Sequence, residues 1–272
     1  MPMLIVTLLA VLLIAWLAGQ PLLQRMRRHR VRAQHFPAPW RTILRRRVPL
    51  VAHLPADLQR QLKQHIQVFI AEKAFIGCGG QTITDEVRVT IAAQAALLLL
   101  NRPDHYFPSL RQVLVYPGSF VVPRGHTDGM GIAHHGHAVL AGESWEQGQV
   151  VLSWQDVLAG AATRDDGHNV VIHEFAHQHD QESGGANGAP PLADPRDYRR
   201  WSQVFNLEYA ALQACVDRGE ESLLDAYAAT SPAEFFAVVT EVFFERPQDL
   251  ERQHRALYEE LAVFYRVTPA LW

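Results

Sequence analysis

Apolar and polar positions divide the chain into a helical first part, a short β region and a helical last part. Between Leu54 and Ala74, apolar residues recur at intervals of three and four, which predicts an amphipathic helix. Thr84 is a candidate N-cap for a second helix that runs to about Leu100. Two prolines, Pro37 and Pro39, predict a break before the folded part.

The middle of the chain is rich in β-branched and aromatic residues, which favour strands. Four short strands are predicted there, over residues 112–116, 119–122, 136–143 and 149–154. Several glycines between residues 125 and 136 predict an irregular loop. The histidines of this segment, His134, His135 and His137, are expected to be solvated rather than bound to a metal or a partner.

After residue 155 the pattern becomes helical. Asp166 is the predicted N-cap of a helix that contains NVVIHEFAHQHD, and Asp194 with Pro195 predicts the start of a helix to about Asp217. Further helices are predicted over residues 232–244, after Ser231, and over residues 250–266. The order of elements predicts an α+β fold that is mainly helical and has one small sheet near its middle.

Charge is distributed unevenly along the 272 residues. Nine arginines lie between Arg25 and Arg47, and no acidic residue precedes Asp57. The remaining 16 basic residues face all 28 acidic ones, so the chain after Arg47 carries a net charge of about −12. An acidic body argues against nucleic acid as a partner. The only two cysteines, Cys78 and Cys215, have no paired spacing, which favours a reducing compartment.

The first residues form an uncharged apolar run from Met3 to Gly19. A helix over residues 1–23 is long enough to reach roughly 30 Å, so a single transmembrane anchor in the inner membrane is predicted. No positive region precedes the run, unlike in a secretory signal peptide, and the arginines that follow predict a cytoplasmic body. A buried or interfacial helix is the alternative. The arginine-rich neck, residues 24–47, is expected to contact anionic lipid or, alternatively, a protein partner. Residues 48–272 are expected to form one folded domain.

A candidate metal motif lies in the first helix after the β region. His173, Glu174 and His177 fit the pattern H-E-x-x-H. On a helix, residues four apart face the same way, so the two imidazoles can bind one Zn²⁺ ion. Glu174 then lies beside the metal, where a general base would act on water.

Catalytic zinc usually has three protein ligands, and spacing leaves the third one open. His179 points away from the other two histidines on a helix, whereas Asp180 lies on their face and can alternatively orient a histidine as a second-sphere partner. Three glutamates of the later helix share one face: Glu234, Glu241 and Glu245. Glu234 also fits a capping box that begins at Ser231.

Several segments resemble one family. HEFAHQHD, the later YAATSPAEFFAV (residues 227–238) and the upstream VLVYPGSFVV and SWEQGQVVLSWQDV are similar to the Mlc titration factor A family of bacterial zinc peptidases, a glucose-regulated peptidase family. The resemblance covers roughly residues 49–266. The spacing from Tyr227 to Glu234 also resembles that in the catalytic domain of anthrax lethal factor. His179 departs from the family, which usually has an apolar residue there.

The resemblance implies a zincin-like metallopeptidase domain in which Glu234 is the third zinc ligand. It also implies that Tyr227 takes part in catalysis, for which the alternative is a core tyrosine. Glu174 is expected to act as the general base, and Tyr227 to donate a hydrogen bond to the oxyanion. The family implies aminopeptidase-like hydrolysis of a peptide or protein substrate. It also implies the alternative of a regulatory protein that captures an Mlc-like transcriptional repressor.

Overall fold

The computed structural model describes residues 2–272 apart from 103–104, 128–132, 141, 146–147 and 164. The described residues form a mainly helical α+β fold, which confirms the predicted class. The elements, in chain order, are α1 (Pro2–Arg32), α2 (Ala38–Arg47), α3 (Ala56–Glu72), β1 (Ala74–Gly77), α4 (Asp85–Leu97), β2 (Gln112–Tyr116), β3 (Phe120–Thr127), β4 (Ala133–Leu140), β5 (Gly142–Trp145), β6 (Gln149–Ser153), α5 (Trp154–Ala162), α6 (Val170–Asp180), α7 (Asp197–Asp217), α8 (Pro232–Glu245), α9 (Pro247–Gln253) and α10 (Arg255–Tyr265).

The main sheet has the strand order β1-β2-β6-β5. Strands β1, β2 and β6 are parallel, and β5 pairs antiparallel with β6 at the edge. The inward residues of β2 and β6, among them Val113, Val115, Val150 and Leu152, are fully buried. This sheet supports the helices that carry the candidate site, because β5 and β6 both contact α6.

Strands β3 and β4 form a separate antiparallel pair. Their register runs from Phe120 opposite Leu140 to Thr127 opposite Ala133. The prediction of an irregular loop over residues 125–136 is therefore wrong at both ends of this range, where the described residues lie in strands. Gly125 lies in β3 and Gly136 lies in β4. Each strand is stabilised by pairing with the other, and the number of glycines in a segment does not predict such pairing. The candidate histidine loop is also part of a strand, since His134, His135 and His137 lie on β4.

Helix α6 begins later than predicted. Asn169 has an extended backbone conformation, and its side-chain oxygen accepts a hydrogen bond from the N–H of Ile172 at 3.0 Å. Asp166 instead accepts from the N–H of His168 at 3.0 Å, which closes a turn before the helix. Two polar residues three positions apart both satisfied the capping pattern, and the structure assigns the cap to Asn169.

Two other helix boundaries differ from the prediction. Asp194 accepts from the N–H of Arg196 at 2.9 Å in a turn, so α7 begins at Asp197. The last predicted helix is interrupted at His254, which separates α9 from α10. The predicted caps at Thr84 and Ser231 are confirmed.

The N-terminal helix α1 continues to Arg32 and contains Pro21. Within the part of the chain that the structure describes, none of the helices combines the length and the apolar character of a membrane span. The transmembrane anchor predicted for residues 1–23 is therefore not supported. That prediction treated the apolar run as a unit of its own, whereas the helix extends into the arginine-rich segment.

The arginine-rich segment packs against the folded body. Arg28 makes a bidentate ion pair with Glu72 of α3, both contacts at 2.8 Å, and lies over the ring of Tyr106. Arg46 and Arg47 of α2 both contact Glu86 of α4. Carboxylates of the chain thus neutralise Arg28, Arg46 and Arg47, and contact of the neck with lipid stays a prediction.

Candidate metal centre

Helix α6 is fixed in place by its apolar face. Val171, Ile172, Phe175 and Ala176 are fully buried, and the helix contacts α8 and β5. Burial of this face directs the remaining face of α6, which carries His173 and His177, towards a cleft. The two histidines lie one helical turn apart, with their Nε2 atoms 3.2 Å from each other.

The beginning of α8 brings Glu234 to these histidines. Ser231 caps the helix by accepting a hydrogen bond from the N–H of Glu234 at 3.2 Å, and Pro232 occupies the first helical turn. The backbone of Glu234 thus takes part in the cap while its carboxylate points elsewhere. Its Oε2 atom lies 3.0 Å from His173 Nε2 and 3.3 Å from His177 Nε2.

The three atoms form a nearly equilateral triangle with sides of 3.0, 3.2 and 3.3 Å. A tetrahedral zinc ion about 2.0–2.1 Å from each ligand requires ligand atoms that are about 3.3 Å apart. The donor set of two imidazoles and one carboxylate is also typical of catalytic zinc. His173, His177 and Glu234 therefore fit a zinc ion in both chemistry and spacing.

Glu241, an alternative ligand in the sequence, lies on the other side of His173. Its Oε1 atom is 2.7 Å from His173 Nδ1, and its Oε2 accepts the backbone N–H of Asn169. A carboxylate on the second ring nitrogen fixes the orientation of a metal-binding histidine and raises its basicity. The structure thus places Glu241 behind the metal centre.

Asp180, the predicted second-sphere partner, is fully buried at the end of α6. Its carboxylate accepts the backbone N–H groups of Gly188 at 2.7 Å and Ala189 at 2.9 Å. These bonds anchor the loop that follows α6. His177 opposes the rise in the pKa of Asp180 that burial causes, and the role of Asp180 in orienting a metal-binding histidine stays a prediction.

The side chain of Glu174 is buried and is 5% exposed. Burial raises its pKa to about 7, against the opposite effect of the neighbouring His173 and His177. Strand β5 covers this carboxylate closely: a Cβ atom on Gly142 would lie 2.6 Å from Glu174 Oε1. The contact holds Glu174 beside the two histidines.

Tyr227 is 48% exposed, so the alternative of a core tyrosine is wrong. It lies in a short 3-10 turn before α8, where Asp225 accepts its backbone N–H at 2.7 Å. Its ring centroid is 6.2 Å from that of His173. The exposed phenol is thus at the edge of the metal centre.

A cavity of about 480 Å³ adjoins the metal centre and is lined by His173, Glu174 and Tyr227. Its described lining also includes four further carboxylates and no lysine or arginine; these acidic residues are Asp156, Asp166, Asp225 and Glu241. A cavity of this size can hold a short segment of peptide. Its charge favours a cationic group.

Another buried carboxyl group, that of Glu245, lies next to the N-cap residue of α6. Glu245 accepts a hydrogen bond from Asn169 Nδ2 at 2.9 Å, and burial raises the pKa of Glu245 to about 9. Glu245 was a candidate zinc ligand on spacing alone. The structure separates it from the histidines, because Asn169 lies between α6 and this part of α8.

Comparison with known proteins gives a consistent result. The family described as glucose-regulated metallo-peptidase M90 matches residues 23–266. A Synechocystis sp. protein described as uncharacterised is 38% identical over 272 residues, which are 100% of this chain and 99% of that protein. Mlc titration factor A of Yersinia pestis and that of Yersinia pseudotuberculosis are each 36% identical over 235 residues, which are 85% of this chain and 85% of each relative.

Proposed function

We propose, on the premise that this chain belongs to the M90 family of glucose-regulated metallopeptidases, that it is a zinc-dependent peptidase. His173, His177 and Glu234 would hold the zinc ion. The observation that carries this proposal is the triangle of their three ligand atoms, with sides of 3.0, 3.2 and 3.3 Å.

A zinc ion bound there supplies Lewis-acid activation of water and of the scissile carbonyl. Glu174 is placed to accept a proton from the attacking water, because its carboxylate lies next to His173 and lines the cavity. The same carboxyl group then transfers the proton to the leaving amine. Its burial excludes bulk water from this transfer.

Tyr227 is the candidate donor to the oxyanion that forms at the scissile carbonyl. Its phenol is exposed to the cavity and close to His173, so a substrate carbonyl can reach both groups. One donor placed in this way stabilises the transition state by about 3 kcal/mol.

The acidic lining supports aminopeptidase-like action. A free peptide amino terminus is a cation, and Asp156, Asp166 and Asp225 provide carboxylates within the same cavity as Glu174. Electrostatic attraction would therefore hold the first residue of a peptide near the metal centre. Short peptides with a free amino terminus are the expected substrates.

The experiment is hydrolysis of such peptides by the wild type and by Glu174→Gln, with zinc content measured for both. The variant should keep its zinc and lose a factor of about 10²–10⁴ in kcat, the usual contribution of a general base. Glu234→Ala should lower the zinc content instead. Activity of Glu174→Gln equal to that of the wild type would refute this mechanism.

A second proposal is capture of a transcriptional repressor of the Mlc type. It is supported by the name of the relatives that are 36% identical, Mlc titration factor A. The test is a pull-down of the purified repressor with wild-type protein and with Glu174→Gln. Binding by both proteins without cleavage would support capture, and absence of binding to either would contradict it.

A further inference from the structure

A second group of histidine and glutamate side chains lies on the far side of α6. His179 is only two residues after His177, but it faces away from the cavity and is 1% exposed. Glu182 lies in the 3-10 turn directly after α6, and His105 in the segment between α4 and β2. Three separate stretches of the chain therefore meet here.

The carboxylate of Glu182 bridges the two imidazoles. Its Oε2 lies 2.7 Å from His105 Nε2, and its Oε1 lies 3.3 Å from His179 Nδ1. One ligand atom from each residue lies within 4.8 Å of the others. Apart from His173, His177 and Glu234, this is the only set of metal-ligand side chains that meets this spacing among the described residues.

Each imidazole has one nitrogen that Glu182 does not satisfy. His105 Nδ1 and His179 Nε2 are buried, and neither has a hydrogen-bond partner among the described residues. An unpaired buried polar atom costs free energy of folding. An ion shared with the Glu182 carboxylate would bind the two nitrogens that face it, His105 Nε2 and His179 Nδ1, and the ring protons would then lie on the two unpaired nitrogens.

We propose that His105, His179 and Glu182 bind a second divalent transition-metal ion, with Zn²⁺ as the expected one. Two imidazole nitrogens and one carboxylate favour zinc over magnesium or calcium, which prefer oxygen ligands. The ion would join the segment before β2 to the end of α6. This site is independent of the proposed peptidase activity.

The surroundings allow an ion to enter and to be held. All three side chains line a cavity of about 450 Å³, in which water can complete the coordination. The rings of Phe107 and Phe264 pack against His179, with centroids 4.8 and 5.7 Å away. Two arginines, Arg102 and Arg266, also line the cavity. The guanidinium of Arg102 is bonded to the carbonyl of Phe264 and lies over that ring at 4.2 Å.

The test is the zinc stoichiometry of the full-length protein. Metal-stripped wild type is titrated with Zn²⁺ against a competing chelator, and bound zinc is measured by elemental analysis. We expect two equivalents in the wild type, one in His105→Asn and one in Glu182→Gln. His53→Asn, which removes an exposed histidine elsewhere, is the control and should keep two.

His177→Asn separates this proposal from the catalytic one. It should lose one equivalent, and its combination with Glu182→Gln should lose both. One equivalent in the wild type that the folded Glu182→Gln variant retains, or two equivalents in that variant, would overturn the second site. Two equivalents retained in His177→Asn would instead refute the catalytic ligand set and leave the second site standing. Circular dichroism of each variant shows that it is folded.

Discussion

His173 is held at both of its ring nitrogens. Nε2 faces Glu234 at 3.0 Å, while Nδ1 faces Glu241 at 2.7 Å. The two glutamates are seven residues apart on α8, so one helix provides both a candidate ligand and the group that orients its neighbour. Precise placement of the first imidazole thus depends on how α8 packs against α6.

Replacing Glu241 tests this dependence. Glu241→Gln should weaken zinc binding by about 10–100-fold, because the amide supports the basicity of His173 less well than a carboxylate does. The affinity is measured by competition with a chromophoric chelator. Glu251→Gln, at an exposed position of α9, is the control and should bind zinc as the wild type does. Equal affinities of the two variants would contradict the role of Glu241.

The raised pKa of Glu245 leads to a prediction for how the stability of the protein changes with pH. Burial raises its pKa from 4.5 to about 9 in the folded state, beside Asn169, Asp166 and Glu241. Between pH 4.5 and about pH 9, Glu245 keeps its proton in the folded state and has lost it in the unfolded state. The free energy of unfolding therefore falls as the pH rises. Glu245→Gln should lose less stability than the wild type between pH 5 and pH 8 in urea unfolding. An equal loss of stability in Glu245→Gln and in the wild type would show that Glu245 is ionised in the folded state.

Part of the metal centre is predictable from the sequence. The motif alone indicated His173, Glu174 and His177, because their spacing is local to one helix. Glu234 needed the family resemblance, since spacing also allowed Asp180 and the other glutamates of the same helix. The role of Glu241 depends on the crossing of α6 and α8, which no local pattern specifies.

Among the elements, β5 and α8 enclose α6 from two sides. Strand β5 approaches so closely that Gly142 leaves no room for a methyl group: its Cβ would lie 2.6 Å from Glu174 Oε1 and 2.7 Å from Val170 Cγ2. The edge strand therefore determines the position of the candidate general base.

Gly142→Ala should displace the Glu174 carboxylate and lower kcat by about 10–100-fold, since a misplacement of about 1 Å can cost a factor of 10². Zinc content should not change, because His173 and His177 are not among the atoms that the methyl group meets. Gly118→Ala, where a Cβ would lie at an ordinary 3.5 Å from Gln155, is the matched control. Wild-type kcat in Gly142→Ala would contradict the close approach.

The helices were easier to predict than the strands. Apolar periodicity and the caps at Thr84 and Ser231 are local, so they predicted α4 and α8 correctly. The pairing of β3 with β4 brings residues 120 and 140 together, and β1 is too short to give a pattern of its own. Sheet partners are chosen by tertiary packing, which a single sequence does not display.

At the scale of the whole molecule, the basic N-terminal segment and the acidic body meet within one fold. Arg28 is 9% exposed between Glu72 and the ring of Tyr106. Charge distribution predicted the asymmetry but not where it is neutralised, because the acidic partners lie on α3 and α4. The family match likewise begins at residue 23, ahead of these arginines. The cytoplasmic location of the domain stays a prediction.

Arg28→Ala should lower the free energy of unfolding by about 1.5–3 kcal/mol, since it removes two charged hydrogen bonds to the partly buried Glu72. Denaturant unfolding of the full-length protein measures the change. Arg30→Ala, at an exposed position two residues away, should change stability by no more than about 0.5 kcal/mol. Similar losses in both variants would show that Arg28 is not a specific contact.

The candidate zinc ligands lie 61 residues apart, at His173 on α6 and Glu234 on α8. A metal ion shared between them would act as a removable cross-link that closes this loop. A chain cut once in the segment between α6 and α7 would then have two fragments that share an ion as well as a core. Removal of the ion by a chelator would then weaken the association of the two fragments, because the core alone would hold them together.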